Sequence, residues 1–327
     1  MTLHLPRRPA SVPVLIALLS LAVVGLPALA APVKTTKAAK TKAAKTKAAK
    51  VKAAAPLPSA HLVPPSDKEG ATPLMLAAAG GKAEAVAKLL AGGADVNGPS
   101  KTGSTPLLYA VFAGQTAVCK LLLAHGADPN RVNADGYGPL AVSVFKDHPD
   151  LAALLLGHGA TVDLAGKKGG TPLIMASMLG HVPMANLLLA HGAKPSTTAP
   201  GGYTPLMLAA LSGSVPIVQA LLDRGANMDD ESDQGQTALL LAAVKGRTEA
   251  VKFLLAHGAD LGGSDINGTT PLMAAAVSGS LPTVQLLLDH QADPTVRNND
   301  DLTAAAIATY LKKPAVAALL RKAGGGE

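Results

Sequence analysis

Thr-Pro-Leu recurs at a fixed 33-residue step, at Thr72, Thr105, Thr171, Thr204 and Thr270. Gly138-Pro139-Leu140, Thr237-Ala238-Leu239 and Thr303-Ala304-Ala305 stand in the same register as weaker copies. Thr72 and Thr303 lie 231 residues apart, which is seven steps without an insertion. A unit of that size cannot bury its own apolar face, so a strict period implies copies stacked on one another around a shared core. Composition agrees. Seven aromatics, none of them Trp, among 327 residues argue against one deep globular core and for helices filled with small aliphatic side chains.

Each conserved slot of the unit has a physical task. Gly recurs two residues before the Thr, from Gly70 to Gly268, where a tight turn needs positive φ. Thr is then placed to cap a helix, and Pro at the first helical position gives up an N–H that has no partner there anyway. Leu107 and Ala110 show the i, i+3 spacing of a packed helical stripe. Gly114 and its equivalents end that helix. A second helix follows, opened by Pro149, Pro183, Pro216, Pro282 or Pro314 in five copies, with Leu pairs such as Leu122-Leu123 and a closing Gly-Ala. Seven full units over 69–299 and a final 28 residues fill the array, leaving no room for a separate catalytic domain.

Thr-Pro-Leu, the Ala pairs, the inter-helix Gly, the Leu pairs and endings like His125-Gly-Ala-Asp-Pro-Asn130 together resemble ankyrin repeats. The resemblance covers residues 67–327 and implies an all-α solenoid of about eight helix-turn-helix units with short turn tips. The chain departs from the pattern after Thr-Pro-Leu, where the usual His is Met75, Leu108, Ala141, Ile174, Met207, Leu240, Met273 or Ala306. In the last unit Asp301, Lys312 and Arg321 replace the turn Gly, the inter-helix Gly and the second Leu, as a wet terminal face requires. The resemblance also implies recognition of a partner protein through a concave face and the turn tips. The slot seven residues after each Thr faces that groove in ankyrin-like units, and here it holds Phe112, Phe145, Met178, Leu211, Val244, Val277 and Tyr310. Leu179 and Lys245 adjoin it. Tyr137 and Tyr203, just before the helix caps, complete the expected contact residues. Aromatic anchors are enriched at such surfaces, although these side chains could instead lean onto neighbouring repeats.

Groupings that resemble chemistry have plainer explanations. His125, His158, His191, His257 and His290 recur before the second capping slot and invite a metal ladder. Repeats stacked about 10 Å apart cannot share one ion between such residues at about 2 Å each, and a His in a last helical turn satisfies free carbonyls. Asn133-Ala-Asp135-Gly136 and Asp265-Ile-Asn267-Gly268 match half a calcium loop, but its first ligand falls on Arg131 or Gly263 and its closing Glu on Val142 or Ala274. Gly166-Lys-Lys-Gly-Gly-Thr171 lacks the spacing of a phosphate loop and reads as a turn. Asp229-Asp230-Glu231-Ser-Asp233 is an acidic tip, either solvated or a contact for a basic partner. The lone Cys119 excludes disulfides and multi-Cys metal sites, and it fills a core slot that Val218, Val251 and Val284 hold elsewhere. Neither Gly-x-Ser-x-Gly nor His-Glu-x-x-His occurs. No catalytic residue, metal ligand or cofactor is expected.

The net charge of +7 splits along the chain. Residues after 52 hold 19 Lys/Arg against 22 Asp/Glu, and the excess lies upstream. Arg7-Arg8, the apolar run Val14–Leu26 and Ala28-Leu-Ala30 form a secretory leader over residues 1–30, cleaved after Ala30. An uncleaved anchor exports the remainder equally. The expected location is therefore periplasmic or secreted. Residues 31–66 read as a disordered Lys/Ala-rich spacer, whose eight lysines from Lys34 to Lys52 scatter around a helix and leave no apolar face. The alternative function is a cell-envelope tether in which this strap binds an anionic surface. Nucleic acid fits it worst, since no aromatic stands there to stack on bases.

Overall fold

The computed structural model describes residues 70–167 and 169–324. The expected leader and the Lys/Ala spacer lie outside the described residues. Within them the fold is all-helical, sixteen helices in eight pairs. The first helices of the pairs are α1 (Pro73–Ala79), α3 (Pro106–Phe112), α5 (Pro139–Phe145), α7 (Pro172–Leu179), α9 (Pro205–Ser212), α11 (Ala238–Val244), α13 (Pro271–Ser278) and α15 (Ala304–Tyr310). The second helices are α2 (Ala83–Ala91), α4 (Thr116–Ala124), α6 (Pro149–Gly157), α8 (Val182–Ala190), α10 (Val215–Leu222), α12 (Thr248–Ala256), α14 (Leu281–Asp289) and α16 (Pro314–Lys322). No described helix is long and apolar enough to cross a membrane.

The local chemistry follows the slots. In seven of the eight first helices the Thr hydroxyl accepts from the backbone N–H three residues on, as Thr105 does from Leu108 at 3.3 Å. α5 starts at Gly138 and has no side-chain cap. Replacing an N-cap Thr by Ala typically costs ~1 kcal/mol, so the cap locates each helix start without carrying much of the stability. The residues standing where the family's His is usual are buried from Met75 to Met273, so packing takes its place.

Helices of seven to nine residues are marginal alone; burial between repeats holds these. One continuous apolar core runs from Leu74 to Leu320. The first helices pack more extensively on each other than the second helices do. Closer packing on the first-helix side agrees with the concave face that the ankyrin resemblance implies there. Five-residue tips project between repeats, each closed by a backbone bond such as Asn133 N–H to Tyr137 O at 3.1 Å. Consecutive tips are joined by a second set, including Ala134 to Thr102, Lys167 to Asp135, Asp233 to Gly201, Ile266 to Gln234 and Asn299 to Asn267. Pro200 interrupts this ladder because it has no N–H to give. At the opposite loop Asn97 donates to Gly126 O at 3.0 Å and accepts from Asp128 N–H at 2.8 Å, and Asn130 repeats the arrangement one unit later.

Four non-glycine residues, Asp147, Gln291, Asp301 and Lys312, have positive φ, and each stands where other repeats carry glycine. The Asp147 carboxylate lies 3.5 Å from His181 Nδ1, and Asp301 pairs with Arg297 at 3.3 Å. Gln291 at φ 68° and Lys312 at φ 56° have no such ion pair. Left-handed strain of about 1–2 kcal/mol, less ~0.5–1 kcal/mol for the freer unfolded chain, leaves a net gain on replacement. Gln291→Gly and Lys312→Gly are each expected to stabilise by ~0.5–1 kcal/mol. Urea unfolding checks this as a higher midpoint at unchanged slope; a lower midpoint refutes it.

Candidate functional site

The concave face is built from the last turns of the first helices, where free carbonyls need partners. Side chains from the following repeat supply them. Gln115 donates to Ala79 O at 3.3 Å, Arg247 to Leu211 O at 3.2 Å and Ser212 to Ser177 O at 3.1 Å. His181 Nδ1 lies 3.1 Å from Val144 O and 3.5 Å from the Asp147 carboxylate. These side chains bridge consecutive repeats. Sequence reading missed them, although Gln115, His181 and Arg247 share one slot ten residues after the Thr.

The expected contact residues divide into two groups. Phe112, Phe145, Met178, Leu179 and Leu211 are half-buried, and all but Leu179 pack against the core. Val277 is likewise half-buried and Val244 is buried. Tyr310 is 52% exposed, on the last first helix among the described residues. The strip is therefore less open than a fully exposed one. Basic groups line it. The Lys146 ammonium sits 4.3 Å from the centroid of the Phe112 ring, a cation–π contact between repeats. Lys245 is exposed beside the strip; partial desolvation, then repulsion from Arg247, lowers its pKa from the usual lysine value.

Tyr137 and Tyr203 differ from the surface position expected for them. They are 2% and 7% exposed. The tips stack, so a ring just before the helix cap is enclosed between one tip and the next. Tyr137 lies against Gly166, where a Cβ would come within 3.1 Å of its ring. Tyr203 donates to Gln236 Oε1 at 2.9 Å. Burial raises both phenol pKa values, with the nearby Asp135 and Asp233 carboxylates adding to the rise. Both rings join repeats to one another.

The groupings weighed as chemistry have their atoms occupied by the fold. His125, His158, His257 and His290 each hold Nδ1 within 2.8–2.9 Å of the carbonyl four residues earlier, in the last turn of their own helix. Asn133 Oδ1 accepts from Asp135 and Tyr137 N–H, and Asp265 Oδ1 from Asn267 and Thr269 N–H. Both are turn-forming side chains. Among the described residues no three His, Cys, Asp or Glu gather to hold an ion. Cys119 is fully buried, which pushes its thiol up to about 12 and leaves it without reactive thiolate at neutral pH.

The family model described as ankyrin repeats (3 copies) matches residues 43–133, 127–199, 194–265 and 257–325. The chain is an ankyrin-repeat protein. Its match starts at residue 43, upstream of the first described helix. Comparison with curated proteins finds no match. Ankyrin repeats generally mediate protein–protein interaction.

Proposed function

We propose that this ankyrin array is a non-catalytic scaffold, exported from the cytoplasm to the periplasm or beyond, that holds a partner protein in its concave groove. The observation that carries the reading is the strip Phe112–Phe145–Met178–Leu211, half-buried and flanked by Lys146, Lys245 and Arg247. Half-buried apolar side chains are already ordered by their neighbours, so a partner that covers their free edges gains contact area at little entropic cost. The basic flank favours a partner segment that alternates apolar and acidic side chains. Export rests on the leader pattern of residues 1–30.

The test uses the exposed flank, whose share in the fold is small. Lys146→Glu with Lys245→Glu is expected to weaken capture of the partner crosslinked from the cell's own envelope, while stability falls by no more than the ~0.5–1 kcal/mol of the Lys146–Phe112 contact. Undiminished capture would move the site elsewhere. The tether reading draws on the eight acid-free lysines of Lys34–Lys52. It requires instead that binding be lost on deleting residues 34–52 and released by about 1 M salt, where charge screening is nearly complete.

A further inference from the structure

The loop after each second helix has a slot from which a side chain can reach the next repeat. Asn97 and Asn130 accept there from Asp128 and Thr161 N–H at 2.8 and 2.7 Å, and Asp163 from Lys194 N–H at 3.3 Å. Both Asn side chains also donate to a carbonyl, Gly126 O or Gly159 O. Ser196, Asp229 and Thr295 keep a side chain in the slot, and Gly262 has none. The loop itself is unchanged: Gly262 N–H donates to Asp260 Oδ1 at 2.8 Å, as Asn97 N–H does to Asp95 at 2.9 Å. The groups that a bridge from Gly262 would serve are Asp293 N–H and Gln291 O, and among the described residues neither has a hydrogen-bond partner.

A cavity of about 190 Å³ opens at this place, lined by Leu261, Leu272, Ala292 and Val296 together with Gly262 and Asp293. Nothing in the backbone calls for glycine here. Neither Gly262 nor the adjacent Gly263 has positive φ, and a Cβ on either would meet nothing nearer than 3.4 Å. Glycine costs chain entropy on folding, and at this slot it also gives up a bridge that Asn makes elsewhere. What it provides is room. The cavity lies at the start of α13, beside Leu272, whereas Val277 and the groove lie at the other end of that helix.

We propose that this cavity binds a carboxamide side chain, Asn or Gln, of a partner protein. The amide oxygen accepts from Asp293 N–H as Asn97 does from Asp128 N–H, and the amide nitrogen donates to Gln291 O as Asn97 does to Gly126 O. The methylenes of the ligand lie on Leu261, which is half-buried, and on Val296, which is 37% exposed. A carboxylate fits less well. It has no N–H for Gln291 O, and the Asp260 carboxylate stands 3.5 Å from the position of a Gly262 Cβ. Arg297 also lines the cavity, but it is paired with Asp301 at 3.3 Å. A purely apolar side chain would cover Asp293 N–H without giving it an acceptor, which costs more than the hydrogen bond is worth in water.

Amide NMR of the full chain, titrated with N-acetyl-asparagine methylamide, tests this. The Asp293 amide should shift, and the Asp128 amide should not, because Asn97 already holds it. The aspartate analogue should bind roughly tenfold more weakly, having lost one hydrogen bond and gained a charge repelled by Asp260. Acetamide should also bind more weakly, since it leaves Leu261 and Val296 uncovered. Gly262→Asn puts the chain's own carboxamide into the cavity, so it should abolish the Asp293 response with the urea midpoint unchanged or higher. An Asp293 amide that does not move overturns the proposal. So does an aspartate analogue that binds as tightly as asparagine, or a Gly262→Asn variant that still responds. Acetamide binding as tightly as the asparagine analogue would make the ligand a free amide and overturn the assignment to a side chain.

Discussion

Gly136→Ala should destabilise the array by about 3 kcal/mol, and Gly126→Ala by only about 1–2 kcal/mol, although the two glycines share one backbone conformation. Gly136 has φ 84° and Gly126 has φ 83°. A left-handed Ala costs about 1–2 kcal/mol at either site. The surroundings then separate them. A Cβ on Gly126 meets nothing within 4 Å, whereas one on Gly136 would fall on the Lys167 amide nitrogen and within 2.8 Å of its Cγ. That amide donates to Asp135 O at 3.2 Å, one rung of the ladder joining the tips. Forcing the tips apart sacrifices the rung, worth ~1 kcal/mol net, and the packing of Tyr137 on Gly166. Urea unfolding of the two variants beside wild type gives the comparison. Equal losses would mean that backbone strain alone matters and that tip stacking contributes little.

The same contrast explains what could be read in the chain before its structure. Helix starts, turn glycines and the two-helix unit were legible because each depends on a local rule: a Thr cap, a Pro that needs no N–H, a Gly that tolerates positive φ. Copies in register repeated each local signal six or seven times. Burial of Cys119 was legible for the same reason, since its slot holds Val elsewhere. Exposure was harder to read. Tyr137 and Tyr203 occupy turn positions that look superficial in one repeat, yet the next repeat's tip closes over them. The bridging role of Gln115, His181 and Arg247 depends on a carbonyl 36 or 37 residues away, and no local rule names that partner. Side-chain identity at one slot therefore gave the helix positions, while the contacts between repeats decided which side chains remained available.

That distinction sets the result expected at the groove. Phe112→Leu with Phe145→Leu should weaken partner capture about tenfold or more, while stability changes by less than about 1.5 kcal/mol. Leu keeps most of the volume that each ring packs onto its neighbours, and it removes the aromatic edge turned to the groove. The Phe112 change also ends the contact with Lys146, worth ~0.5–1 kcal/mol at an exposed site. Serine at Phe112, Phe145 and Met178 is a blunter change. All three side chains are half-buried against the core, so their truncation should lower the melting temperature and capture together. Neighbouring losses of that kind do not add simply, and the serine variant alone could not separate binding from folding. Circular dichroism and capture measured on both variants make the separation. A leucine pair that captures the partner as tightly as wild type would show that the rings serve the core alone. The contact surface would then lie at the exposed cations and Tyr310.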